Sequence, residues 1–243
     1  RLDEMSKNFP KGMEYFVPYD TTRFIIDGAA LADRFDYGIQ APVGGANPYL
    51  VSQLTGSYQA GFLIFAALAV LKLQEEGKLS LNDKVRDLAP DVQFENPWEE
   101  THPVRLAHLL EHTTGWDDMS LAEYAYAAAS DAMSLKAGLD YRPASRTSRW
   151  VPGTRMAYCN IGPAVAAYIV EKVTGKKFEE YIQEQVFAPL QMDSTSFYYS
   201  KIYEERGASL YVNGKPQDYW QILTRPAGSV NSSARDMANF LQL

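Results

Sequence analysis

The sequence predicts an α/β fold of the α+β kind, in which helices dominate and strands are short. Three observations predict it. The chain changes at Ala60 from heavily punctuated sequence to helical patterning. Helical segments bounded by glycine or proline then follow one another to the end. Strand candidates are brief and sit near the two ends, the last of them around an Asn-Gly turn signal at Tyr211-Val-Asn-Gly214.

Residues 1 to 59 are the least legible part. Gly, Pro, Asp and Asn interrupt them at Phe9-Pro-Lys-Gly12, Asp27-Gly28 and Pro42-Val-Gly-Gly-Ala-Asn-Pro48, with strand candidates at Tyr15 to Pro18 and Arg23 to Ile26. From Ala60 to Leu73 the residues are apolar on all faces, and Glu75-Glu76-Gly77 stops the run, which predicts a buried central helix. Lys72 interrupts it, and it is too short to span a bilayer comfortably, so no transmembrane segment is expected. Further helices are predicted at Val104 to Glu111, Ser120 to Ala129, Gly162 to Val173 and Phe178 to Val186. The last must close before Ala188-Pro189, because the residue preceding a proline resists the helical region. A final helix opens near Ser233 and runs to Leu243.

Composition fits a globular chain. With 243 residues, 46% hydrophobic and 22% charged, a sizeable core can be buried. A formal charge of -7, without a basic stripe, excludes nucleic acid as an expected partner. The single cysteine, Cys159, excludes an intrachain disulfide and, with no evident His partner, reads as a packed side chain rather than a nucleophile. The chain opens without a charged n-region followed by an apolar h-region, so no signal peptide is visible.

Four blocks carry the chemistry. They are Leu73-Gln-Glu-Glu-Gly-Lys-Leu-Ser-Leu-Asn-Asp-Lys-Val85, Pro103-Val-Arg-Leu-Ala-His-Leu-Leu-Glu-His-Thr-Thr-Gly-Trp116, Pro152-Gly-Thr-Arg-Met-Ala-Tyr-Cys-Asn-Ile-Gly162, and Arg225-Pro-Ala-Gly-Ser-Val-Asn-Ser-Ser-Ala-Arg-Asp-Met-Ala-Asn-Phe240. In this order and at this spacing, over roughly residues 64 to 243, they resemble the penicillin-recognising serine hydrolases: class C beta-lactamases, DD-peptidases and related esterases. The resemblance implies a beta-lactamase/transpeptidase-like fold, a helical lobe plus an antiparallel sheet lobe that is incomplete in this chain. It makes 1 to 243 a single domain, incomplete at its C-terminus, with 1 to 59 as a poorly matching segment. It implies acyl transfer on a small amide or ester, or on a peptidoglycan-like ligand, with no cofactor and a periplasmic or secreted setting.

The family chemistry needs a serine at the start of a buried helix and a lysine three residues on, one turn away on the same face, to take its proton. Counting back from Leu73 places these at Ala60 and Leu63, neither of which can act. No serine in the chain is followed by lysine at the third position. Ser57, in Gly56-Ser-Tyr-Gln-Ala60, is the one displaced candidate for the nucleophile, its alternative being a helix N-cap. Tyr158-Cys-Asn160 matches the family's Tyr-x-Asn: by resemblance Tyr158 is the proton-transfer group and Asn160 the contact to the substrate amide, the alternative being two hydrogen-bonding loop residues. The Lys-Thr-Gly or His-x-Gly strand that completes the oxyanion hole would follow Leu243. The expectation is an inactive copy, a fragment, or a chain read out of frame before Ile64, with a non-catalytic binding module as the rival function.

His108-Leu-Leu-Glu-His112 also matches an inverted zincin pattern, with two histidines at i and i+4 on one helical face. The competing reading makes both histidines structural hydrogen bonders and expects no metal. Among the aromatics, Trp150 and Trp220 are the two considered for lining a cleft.

Overall fold

The computed structural model describes residues 60–118, 125–126, 133–141, 143–212, 215–219 and 221–242. Those from Phe62 onward belong to one compact unit. Ser57, Trp220 and the two strand candidates before residue 30 lie outside the described residues.

Helix α1, Ala60–Glu75, forms where the apolar run predicts. Gly77 ends it at φ 70, with Lys78 N–H reaching back to the Leu73 carbonyl at 2.9 Å and Gly77 N–H to Gln74 at 2.9 Å, the paired bonds that satisfy a helix's last carbonyls. Its burial differs from the expected all-round pattern. Phe65, Ala66, Ala69, Val70 and Leu73 are in the core, but Leu71 is 43% exposed. Phe65 packs edge-on against Phe187 at 5.1 Å and lies 5.2 Å from Phe240 and 6.2 Å from Phe197, so this face of α1 meets the C-terminal aromatic cluster. Each such side chain withdrawn from water contributes about 1.5–3 kcal/mol.

Two short helices follow, α2 (Val85–Leu88) and α3 (Leu106–Leu110). Leu106 and Ala107 give their N–H groups to Asp83 and Leu81, and Val85 gives its own to Val104, which locks the turn after α1 onto the start of α3. Of the helix expected over Ser120 to Ala129, the described part is a strand: β1, Ala125–Tyr126, pairs antiparallel with β4, Gln221–Ile222. Cross-strand pairing overrides the helical preference of an alanine-rich segment, since propensity differences are only tenths of a kcal/mol per residue. Helix α4, Leu135–Asp140, was not predicted; Ser134 caps it by accepting the Ala137 N–H at 3.2 Å.

The helix buried on all sides is α5, Ile161–Thr174, in which every residue from Ile161 to Val170 is buried. Alanine and glycine make this close packing feasible. A Cβ on Gly162 would stand 2.7 Å from the Leu109 carbonyl oxygen, so only glycine lets α5 approach α3 this closely. α5 ends at Gly175, φ 69. Helix α6, Phe178–Ile182, continues as a π-helical turn through Gln183–Phe187 before Ala188-Pro189. Helix α7 (Lys201–Arg206) precedes the hairpin of β2 (Leu210–Val212) and β3 (Lys215–Gln217), whose register pairs Val212 with Lys215, as an Asn-Gly two-residue connection requires. A 3-10 turn at Arg225–Ala227 leads to α8, Ala234–Phe240, capped by Ser233. Asp236, in its first turn, also accepts from Ser194 N–H and Thr195 hydroxyl, both at 2.7 Å. The described strands thus form two separate two-stranded antiparallel sheets beside a mostly helical body.

Candidate active site

The site is assembled by a long irregular segment laid along a turn. After α3 the chain turns through His112 at φ 57 and Gly115 at φ 80. Residues 145–157 run beside that turn and tie to it repeatedly. Asp117 N–H donates to the Ser145 carbonyl at 2.9 Å, the Ser148 hydroxyl to Thr114 at 2.8 Å, Arg149 N–H to Gly115 at 3.1 Å, Gly153 N–H to Thr113 at 2.9 Å and Ala157 N–H to His112 at 2.9 Å. Trp116, fully buried against Phe94, anchors the turn from beneath. Gly153, at φ 84, lies where an added Cβ would come within 3.0 Å of His108 Nε2, so a glycine is needed there twice over.

This lacing delivers Tyr158 and Asn160 to the N-terminus of α5. The Tyr158 hydroxyl donates to Asn160 Oδ1 at 2.9 Å. Asn160 gives its backbone N–H to Asp118 Oδ1 and its side-chain Nδ2–H to Asp118 Oδ2, both at 2.8 Å. The Tyr158 ring lies 4.5 Å from the His112 ring, and His112 Nδ1 accepts the Cys159 N–H at 3.3 Å. The two sequence-predicted residues are therefore brought together, each half-buried. Their supports, His112 and Asp118, were not anticipated in that role. The positive φ of His112 is invisible in sequence, and Asp118 meets Asn160 across 42 positions.

Electrostatics around the pair follow from burial. Desolvation holds His112 below the usual histidine value, opposed by the charge of Asp118. His108 is lowered for the same first reason. The Cys159 thiol is pushed up to about 11 by burial and donates to the Asp117 carbonyl, which makes it inert at neutral pH. A phenol oxygen that donates its hydrogen to Asn160 still carries lone pairs, and an amide nitrogen that gives one hydrogen to Asp118 still carries a second.

The helical face required by the zinc pattern is not formed. α3 ends at Leu110, and His112 has left the helix at positive φ. Both histidines turn Nδ1 onto backbone N–H groups, His108 accepting from Arg105 at 3.2 Å and His112 from Cys159. Among the described residues no three His, Cys, Asp or Glu side chains come together as a metal site would need. Trp150 has its indole N–H on the Arg155 carbonyl at 3.2 Å and Arg149 over its ring at 4.7 Å, an internal role. No helix among the described residues is long and apolar enough to cross a membrane.

Comparison with known proteins agrees with this architecture. The chain is 26% identical over 212 residues to a beta-lactamase of Yersinia enterocolitica, covering 86% of this chain and 50% of that protein. It is 26% identical over 245 residues to penicillin-binding protein 4 of Amycolatopsis lactamdurans, covering 91% of this chain and 60% of that one. The chain thus spans about half the length of these curated relatives. Among solved structures, an octameric penicillin-binding protein homologue from Pyrococcus abyssi superimposes with a TM-score of 0.58 at 27% identity, over 74% of this chain and 42% of that one. The fold is beta-lactamase/transpeptidase-like. The Beta-lactamase family model matches residues 64–243, and on that match the chain belongs to the Beta-lactamase family.

Proposed function

We propose that this chain derives from serine hydrolases that transfer an acyl group from a small amide or ester, and that it retains the substrate-holding element of such an enzyme without the nucleophile. The observation that carries the reading is the Tyr158–Asn160 pair at the head of the buried helix α5, braced by Asp118 and His112. A phenol in that place serves proton transfer, and an amide serves to hold a substrate carbonyl.

Positions 60 and 63, reached by counting back from Leu73, both fall on helix α1. A serine at position 60 and a lysine at position 63 would stand one turn apart along it, as activation of a hydroxyl by a neighbouring amine requires. Ala60 and Leu63 supply neither group, and both precede the matched residues 64–243. The same substitutions favour a second reading, a non-catalytic module that binds an amide, ester or peptidoglycan-like ligand through the retained pair.

Intact-mass spectrometry after incubation with a penicillin-type acylating probe tests the first reading. No covalent adduct is expected, and a stoichiometric adduct on Ser57 would overturn the assignment of Ala60. Thermal denaturation with the same probe separates the second: a rise in Tm without an adduct supports a binding module, because a ligand that binds only the folded state stabilises it. No rise at saturating probe removes the binding module for this ligand class.

A further inference from the structure

The geometry points to Asp118 as a positioning residue that fixes the direction of the hydrogen bond between Tyr158 and Asn160, and with it which atom of Asn160 faces a substrate. The inference rests on the reading of that pair as the retained substrate-holding element.

An ionised carboxylate has no hydrogen to give, so both of its contacts must receive. Asp118 lies on the exposed side of the turn and takes the Asn160 backbone N–H on one oxygen and the Asn160 side chain on the other, each at 2.8 Å. The atom of the Asn160 amide nearer Asp118 is therefore the nitrogen. Its oxygen must then point to Tyr158, and Tyr158 must be the donor, as the 2.9 Å contact has it. The two contacts to Asp118 leave Asn160 no freedom to rotate its amide by half a turn. The chain of direction runs from the charge on Asp118, through the amide, to the hydroxyl hydrogen.

The consequence is chemical. With its hydrogen committed to Asn160, Tyr158 is the donor of the pair and the Asn160 oxygen the acceptor. Asn160 presents its second N–H, a donor suited to a carbonyl oxygen of an amide or ester. Reversal of the amide would present an acceptor instead, which repels a carbonyl and favours an N–H or O–H group. Asp118 thereby selects the class of group that the site holds.

Asp118→Asn separates this proposal from a merely structural role, because it preserves shape and changes donor pattern. The new amide can offer its oxygen to the Asn160 backbone N–H, but its nitrogen then faces the Asn160 nitrogen, donor against donor. Asn160 is expected to turn over, so that Tyr158 now accepts. NMR of the full chain reads this directly through the Asn160 side-chain amide and the Tyr158 Cζ resonance, assigned with Tyr158→Phe. The expected result is a shift of both resonances in Asp118→Asn with an otherwise unchanged spectrum. Unmoved resonances overturn the proposal. Should that variant not fold, the wild-type chain suffices: one hydrogen of the Asn160 amide must exchange with solvent about tenfold or more slowly than the other, as a charge-assisted bond dictates, and equal exchange overturns the proposal. These readouts need neither turnover nor ligand. Failure of probe binding with the stated amide direction intact counts against the functional reading alone.

Discussion

His112 shows how one residue sets local geometry and pH response together. Its φ of 57 turns the chain after α3, its carbonyl receives Ala157, and its Nδ1 receives Cys159. The neutral ring is required, since protonation at Nδ1 removes the acceptor. Burial lowers its proton affinity, and that of His108, below the unfolded value. In acid the unfolded chain therefore binds more protons than the folded one, and stability falls as pH drops through about 6.5 toward the lower folded values. The expected outcome is a Tm that declines between about pH 7 and 5, with a smaller decline in His112→Asn. Asparagine tolerates the left-handed backbone and does not titrate. An identical pH profile for the variant would show that His112 carries none of the dependence.

At the scale of elements, the association of α6 with the turn before α8 depends on one buried ion pair. Arg225 Nε donates to Glu179 Oε1 at 2.7 Å, both side chains are 3% exposed, and Arg225 also donates to the Met133 carbonyl and lies over the Tyr198 ring. A pair this deep contributes little net attraction after desolvation, yet loss of one partner leaves a charge with nothing to offset it. Glu179→Gln is expected to destabilise the chain by about 3–5 kcal/mol, whereas replacing both partners by apolar residues of similar volume should cost much less. Urea denaturation of the two variants checks this, and equal losses would contradict it. The pair was not legible in sequence, because 46 positions separate its members.

For the whole molecule, Cys159 is a reporter already in place. It is 1% exposed at the head of α5, between the two residues of the candidate site. With its thiol pushed up to about 11, it is protonated and shielded in the folded chain. A thiol-specific reagent at neutral pH should find no reactive group in native protein and one equivalent after denaturation, with labelling that follows global unfolding. Rapid labelling of the native chain would show that the segment around Tyr158 opens on its own.

What sequence determined by itself depends on local spacing: the helices at Ala60–Glu75 and Ile161–Thr174, the stop at Gly77, the turn signal between β2 and β3, and the family, read from blocks that include Tyr158-x-Asn160. These are legible because periodicity, glycine and proline act within a few residues. Tertiary structure alone decided which helix is central. The apolar run of α1 leaves Leu71 at the surface, while the small residues of α5 let neighbours close in from every side. It also decided that Ala125–Tyr126 is a strand, that His108 and His112 each accept a backbone N–H, and that Asp118 grips Asn160. Each of those outcomes is a hydrogen bond or packing contact between residues far apart in the chain, and such contacts exist only once the backbone has brought them together.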